Sequence, residues 1–462
     1  MKRNTSNSLL FFIFLLILVF LTSCVISVEP RKSHNWERKP RKHHGHGHSQ
    51  SPASSPAQTQ TFTFDVLSFG AKANEISDDS KALLAAWEAA CKVGGTVKIP
   101  AEHRFLIKPI TLQGPCMPHL TLQIDGTLMA PPAISSWPKS SLFQWINFKS
   151  IHSFTLQGSG TIDGQGFNWW TSSQNYPMQK KGYYPEQIPV MKPTAVRFYS
   201  SNDVTVRDIK IINSPLCHLK FDNSKGIKVN NITISSPENS QNTDGIHLQN
   251  SQDAEIQRSN IASGDDCVSI QTGCSNIHIH HINCGPGHGI SIGGLGKDRS
   301  VACVSNIMVN DVSMQNTLYG VRIKTWQGGI GMVKNVSFTR VQVEDVKSPI
   351  TVDQYYCDKQ VWKNQTGTVV ISGVKFDKIY GTYAFQPIHI ACSNSIPCTD
   401  LDLTDIQLRP SQKYSGFFQQ AFCWNSYGKS QGPMMPSNID YCVRSGGGYI
   451  KKISRSHDSV CY

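Results

Sequence analysis

From Phe62 onward the chain is built of short apolar alternations. Leu120-Thr121-Leu122, Phe154-Thr155-Leu156, Val204-Thr205-Val206, Ile227-Lys228-Val229, Ile277-His278-Ile279, Ile307-Met308-Val309 and Val336-Ser337-Phe338 each put apolar side chains two residues apart. That is the period of a strand with one face buried. The last five begin 23, 50, 30 and 29 residues apart, and the interval of 50 holds a degenerate copy, Ala254-Glu255-Ile256. A second alternation follows several of these: Ile209-Lys210-Ile211, Ile232-Thr233-Ile234, Val312-Ser313-Met314 and Val341-Gln342-Val343. A third begins at Ile246, Val268, Ile290, Val321 and Ile350.

Three short strands per period of about 22–30 residues, with no helical pattern between them, predict an all-β parallel β-helix. Its coils would stack at the strand spacing of ~4.8 Å. A sandwich of hairpins would need regular Asn-Gly or Asp-Gly turns, and these do not punctuate the strands. The one helical period runs from Asp78 to Val93. It has an Asp-Asp-Ser start, then Leu83, Leu84, Trp87 and Cys91, and stops at Gly94-Gly95. A lone helix ahead of the strands suits a cap over the open end of a coil.

The polar residues ahead of the third strands form a file. Asn242-Thr243-Asp244 precedes Ile246, Ser263-Gly264-Asp265-Asp266 precedes Val268, and Gly287-His288-Gly289 precedes Ile290. Asp244, Asp266 and His288 are 22 residues apart, each two before the first apolar residue of its strand. Stacking would put neighbours ~5 Å apart and the ends ~10 Å apart. Arg322 and Lys324 flank Ile323 and should both point outward further along, with Tyr355 and Tyr356 closing the next copy.

The expected result is an external groove holding carboxylates, an imidazole, two cations and a phenol. Crowded carboxylates raise at least one pKa, leaving a proton donor beside ionised partners. A donor and a base on either side of a glycosidic bond make a glycosidase. Arginine and lysine suit a substrate with carboxylates of its own. Strict alternation would send Asp265 and Asp266 to opposite faces, so both serve the groove only if Gly264 and the pair lie in a turn or bulge. Asp and Asn also cap turns through backbone hydrogen bonds. Capping accounts for one such residue, and for Asn242, but not for three acids, a histidine and an Arg-x-Lys in one file.

Composition adds compartment and partner. The formal charge is +12 over 462 residues, and about half of it remains beyond residue 50. A basic chain attracts polyanions: nucleic acid, acidic lipid or acidic polysaccharide. No basic-aromatic motif supports nucleic acid. Residues 1–27 read as a cleaved secretory signal, with Lys2 and Arg3 ahead of an apolar run from Leu9 to Leu21 that is too short to span a bilayer. No membrane association is expected after cleavage. Residues 28–60 read as a solvated basic linker, with His43, His44, His46 and His48 close enough to bind metal. Residues 61–462 form the catalytic domain. Fourteen cysteines in an exported chain imply disulfides, and losing Cys24 with the signal leaves an odd number. Sequons at Asn231, Asn335 and Asn364 permit glycosylation.

Taken together, Asn242-Thr243-Asp244, Gly264-Asp265-Asp266, Gly287-His288-Gly289 and Arg322-Ile323-Lys324 resemble the four signature motifs of the polygalacturonases, the pectin hydrolases of glycoside hydrolase family 28. The resemblance runs from about Phe64 to about Cys461 and is closest to plant members, with Gly166-Phe167-Asn168-Trp169-Trp170 in support. It implies a single-stranded right-handed parallel β-helix. It also implies inverting hydrolysis of α-1,4-linked galacturonate without a metal or other cofactor, by a secreted monomer acting on cell-wall pectin. By position it makes Asp265 the general acid and Asp244 with Asp266 the pair that activates water. His288 would support the protonation of the acid. Arg322 and Lys324 would grip galacturonate carboxylates, Tyr356 would serve a subsite, and Asn242 would shape one. The resemblance further suggests a Cys267–Cys284 bridge beside the site, with Cys91–Cys116 and Cys392–Cys398 as further pairs. Trp362 stands near the position where relatives often supply a partner for Cys357.

Two rival readings have distinct requirements. A pectate lyase-like enzyme needs a calcium site of several carboxylates and a basic proton abstractor, which the Gly-His-Gly and the paired aspartates fit poorly. A non-catalytic pectin-binding wall protein would not need the complete set of motifs.

Overall fold

The computed structural model describes residues 62–138, 144–174, 192–357, 367–414, 417–445, 460 and 461. The signal and the basic linker expected at 1–60, and the sequon Asn364, lie outside them. The described strands pair in parallel in two sheets, one of eleven strands and one of nineteen. This is the parallel β-helix that the three alternations predict.

The third alternation forms the eleven-stranded sheet. Ile110, Ile146, Val196, Leu219, Ile246, Val268, Ile290, Val321, Ile350 and Ile388 pair each to the next in unbroken register, and all are buried. Burial of each such side chain contributes about 1.5–3 kcal/mol. Two positions on, Leu112 is followed by aromatic rings: Phe148, Phe198 and Phe221 stack with centroids 4.6 and 5.2 Å apart. The fixed inward file leaves the residues between them facing out, and those residues form the floor of the groove.

The first and second alternations merge into long bent strands such as Gln252–Ala262, Cys274–Cys284 and Val301–Gln315. Their bends fall where Arg258, His281, Asp311 and Arg340 take positive φ, one above another. An earlier column of positive-φ residues carries a side-chain ladder. Asn276 donates to Asp253 (2.8 Å), Asn306 to Asn276 (3.0 Å) and Asn335 to Asn306 (2.7 Å). Asn and Asp tolerate the left-handed region, and their amides repeat the hydrogen bond from coil to coil. The sequon asparagines Asn231 and Asn335 sit in such turns and are exposed.

The capping helix spans Ser80–Val93, two residues shorter at its start than the sequence suggested. Asp78 accepts from Ser80 N–H, while Asp79 turns away to accept from the backbone of Lys72 and Ala73. Trp87 packs on Phe148 and Phe154, with centroids 5.9 and 5.5 Å away, and so seals the apolar interior. A second helix spans Phe167–Gln174, which no period in the sequence announced. Its Trp169 meets Trp137 edge-on and its Trp170 donates to the Ser214 carbonyl. No helix among the described residues is long and apolar enough to cross a membrane.

The expected pairs Cys91–Cys116, Cys267–Cys284 and Cys392–Cys398 are present, joined by Cys303–Cys461 and Cys423–Cys442. Cys217 and Cys274 are buried thiols.

Candidate active site

The file of polar residues converges as its spacing predicted. Gly264 sets the key turn. Its N–H donates to Thr243 Oγ1 at 2.9 Å, and a Cβ there would stand 2.0 Å from the Ser240 carbonyl oxygen. The turn lies ahead of the strand Val268–Ile270, so the two aspartates escape strict alternation. Asp265, Asp266 and His288 each bring a polar atom within 4.8 Å of the others. Gly289, at φ +80, returns the chain from His288 to the strand Ile290–Leu295 beneath Gly320.

Asp265 is held mainly through one oxygen. Its Oδ1 accepts from the Asp266 N–H (2.8 Å) and from His288 Nδ1 (3.0 Å), while its Oδ2 faces Asn242 Nδ2 at 3.4 Å. Asn242 takes φ +61, the turn role the sequence allowed it. Burial pushes the Asp265 carboxyl up, but the His288 hydrogen bond and charge and the Lys324 charge outweigh it, and the net direction is down.

Asp266 is 1% exposed and bound on both oxygens. Oδ1 accepts from Arg322 Nη2 (2.7 Å) and Ser291 Oγ (2.7 Å), and Oδ2 accepts from Lys324 Nζ (3.1 Å). Arg322 Nε also donates to Ser291 Oγ at 3.0 Å. The expected outward direction of the two cations holds for the face they leave from, and their charged ends are taken up within the groove. Arg322 and Lys324 do leave the strand on its outer face, but they are buried and spend their charge on Asp266. The alternation identifies the face a side chain leaves from; the depth of the groove decides where its charged end settles.

Asp244 accepts from His247 Nδ1 through Oδ2 at 2.8 Å. Burial, with the charges of Asp265 and Asp266, raises its pKa against the opposing pull of His247. Of these carboxyls the one pushed up is Asp244, chiefly by burial with the neighbouring charges adding to it, and not Asp265. Beneath it, His218 Nδ1 bonds the Asp244 carbonyl (3.0 Å) and Nε2 bonds Ser236 Oγ (2.7 Å). Burial drops the His218 pKa to about 4, so the imidazole is neutral and structural.

The adjacent tyrosines Tyr355 and Tyr356 have different partners. Tyr355 OH accepts from the Asn394 N–H. Tyr356 lies edge-on to Trp326 at 5.3 Å, with Lys324 Nζ 5.3 Å from its own ring centre, which puts Tyr356 at the site. Sequence reasoning passed over His247, Ser291 and Tyr319. His247 and Ser291 are outward residues of strands already identified. Tyr319 stands two before Val321, the same position as Asp244, Asp266 and His288, and its ring lies 4.0 Å under the Arg322 guanidinium. With Arg322 and Lys324 lodged against Asp266, the Asp265, Asp266 and His288 cluster is a poor cradle for a divalent ion.

Several comparisons bear on this arrangement. The family model described as glycosyl hydrolases family 28 matches residues 91–421. An Arabidopsis thaliana protein named "Probable polygalacturonase" is 37% identical over 393 residues, covering 82% of this chain and 86% of its own. The polygalacturonase QRT2 of Arabidopsis thaliana is 40% identical over 356 residues, covering 75% and 77%. Among solved structures, the polygalacturonase of Erwinia carotovora superposes with a TM-score of 0.64 at 24% identity, over 83% of this chain and all of that one, a likeness of fold. A family match over more than two thirds of the chain, with relatives at this identity across most of their own length, places the protein in glycosyl hydrolase family 28.

Proposed function

We propose that the chain is a secreted polygalacturonase that hydrolyses α-1,4-galacturonosyl linkages of pectin by an inverting acid–base mechanism. The observation that carries the reading is the row Asp244, Asp265, Asp266 and His288, beside two cations, in a chain whose relatives are named polygalacturonases. The signal-like residues 1–27 and the five disulfides support export.

Asp265 is the acid. Its Oδ1 is committed to two donors, so the proton to be delivered sits on Oδ2. In the resting site its pKa is held down, and a galacturonate carboxylate arriving beside Lys324 reverses this. It engages the ammonium and adds negative charge, and both effects favour the protonated acid. Asp244 and Asp266 then position a water.

Asp265 and Asp266 bring oxygens within 4.8 Å of each other, closer than the ~6.5–9.5 Å typical of inverting pairs. That separation by itself is nearer the ~5–5.5 Å of direct attack by a carboxylate. Two features favour water. Asp266 is 1% exposed and held by three donors, so it is not free to bond an anomeric carbon. Asp244, on the neighbouring coil, keeps 13% of its side chain open and can share a water with it.

The test is incubation with polygalacturonate. New reducing ends with saturated products support the reading. Unsaturated products that absorb in the ultraviolet would mean a lyase, and binding without new ends would mean a wall-binding protein. Monomer alone would indicate attack from the chain end; mixed oligomers with a rapid fall in viscosity would indicate internal attack.

A further inference from the structure

The sheet that does not carry the groove holds a second cluster of polar side chains. Glu255 pairs with His278 across adjacent coils in the parallel register, and His280 follows His278 on the same outward face. Ile277 and Ile279, before and between them, point into the core. One ring nitrogen of each histidine and one Glu255 oxygen lie within 4.8 Å of one another. His280 Nε2 is 3.2 Å from Glu255 Oε1, and the two imidazoles stack with centroids 4.3 Å apart.

We propose that Glu255, His278 and His280 bind a divalent transition ion, zinc by preference, at a site separate from the groove. Two imidazoles and a carboxylate are borderline ligands suited to zinc rather than to calcium, which prefers all-oxygen sets. Ligands about 2.0–2.1 Å from a tetrahedral zinc stand roughly 3.3 Å apart, close to the separation already found between His280 and Glu255. Two ligands at i and i+2 on one strand share a face by the geometry of the strand, and the third comes from the coil below at the strand spacing.

The outer hydrogen bonds are also in place. His278 Nε2 donates to Asn310 Oδ1 (2.7 Å), whose amide is oriented by its own bond to Asp311, so Nδ1 is the uncommitted nitrogen. His280 Nδ1 bonds His281 Nδ1 at 2.8 Å, so a proton held on Nδ1 leaves Nε2 as a lone pair aimed at the Glu255 side. Second contacts of this kind fix the tautomer and orientation of metal-binding histidines. His280 is only 12% exposed, which limits the number of rotamers it must give up on binding. The ion would clamp two neighbouring coils and stabilise the folded form.

The test uses the full mature chain with His43, His44, His46 and His48 each replaced by Ala, so that the imidazoles of the basic segment do not compete. Titration calorimetry with zinc chloride should give one ion per chain and a raised melting temperature. Glu255→Gln and His280→Asn should each weaken binding at least tenfold and abolish the rise, with polygalacturonate hydrolysis unchanged. Cobalt should show the visible bands of a tetrahedral site and lose them in the same variants. Glu255→Gln is conservative at a half-exposed position, so it remains informative if His280→Asn misfolds. Failure of the parent to bind zinc, or binding that Glu255→Gln leaves intact, overturns the proposal.

Discussion

Arg322 Nη2 lies 2.7 Å from Asp266 Oδ1, in a place where the arginine keeps 6% and the aspartate 1% of its surface. Removing one partner of a buried pair strands the other charge, at a cost of about 3–5 kcal/mol. Asp266 keeps Lys324 and Ser291 when Arg322 is lost, so Arg322→Gln should lower folding stability by less than that, as well as activity. Asp266→Asn strands both Arg322 and Lys324 and should cost more, and adding Arg322→Gln to it should recover part of that stability and none of the activity. Denaturant melts of the two singles and the double check this; additive losses would show that the pair is not coupled.

Lys324 should act more on recognition. Lys324→Gln leaves Asp266 with Arg322 and Ser291, so the fold should hold. The apparent KM on polygalacturonate should rise about tenfold, since a charge-assisted contact contributes roughly 1.5–3 kcal/mol. Fully methylated pectin should feel it less. Equal losses on the two polymers would remove Lys324 from carboxylate recognition.

The pH profile has a direction that can be fixed in advance. Asp265 must be protonated and its partners ionised, so activity should form a bell on the acidic side of neutral. The high-pH limb reports the acid. His288 and Lys324 hold the Asp265 carboxyl down, so His288→Gln and Lys324→Gln should each move that limb to higher pH. A limb that stays put in both variants assigns the acid elsewhere.

Asp265→Asn keeps the shape of the side chain and removes its proton. Turnover should fall by orders of magnitude with oligogalacturonate binding nearly intact. In the parent enzyme, NMR before mutarotation should find the β-anomer released from the α-linked substrate. Initial α-anomer would mean a covalent intermediate, and would make one of the aspartates a nucleophile after all.

Asp244 predicts a conflict between activity and stability. Its folded pKa is raised, so the folded chain binds a proton that the unfolded chain gives up at lower pH. The contribution of this group to stability is complete below the unfolded carboxyl value near 3.8 and declines as pH rises through the folded value. Asp244→Asn carries no such penalty. It should be inactive yet melt higher than the parent near neutral pH, with the difference vanishing below about pH 4. A lower melting temperature at neutral pH would contradict the raised pKa.

The coil was legible because its rule is local. Alternation at period two, repeated from Val204 to Val336, leaves few other ways to bury so many isoleucines and valines. The file Asp244, Asp266, His288 followed from counting residues, since stacking converts sequence spacing directly into position. What counting could not reach was depth. Nothing in Arg322-Ile323-Lys324 says that both cations fold back onto a carboxylate two coils away, because that depends on Ser291 and on the groove walls. The same holds for the raised carboxyl. Crowding predicts that one must yield, but only depth of burial and the placement of His288 and Lys324 decide between Asp244 and Asp265. Phe167–Gln174 escaped because eight residues with two adjacent tryptophans carry no readable helical period.

The bridge from Cys303 to Cys461 joins residues 158 apart. A stack in which each coil leans only on its neighbours would ordinarily peel from a free end, one layer at a time. Here the far end of the thread is sewn back beside the catalytic layers, so the stretch carrying Arg322, Lys324 and Tyr356 is a closed hoop. Pulled from beyond residue 461, such a molecule resists at the bridge, and the layers that carry Arg322 and Lys324 lie inside the hoop it closes.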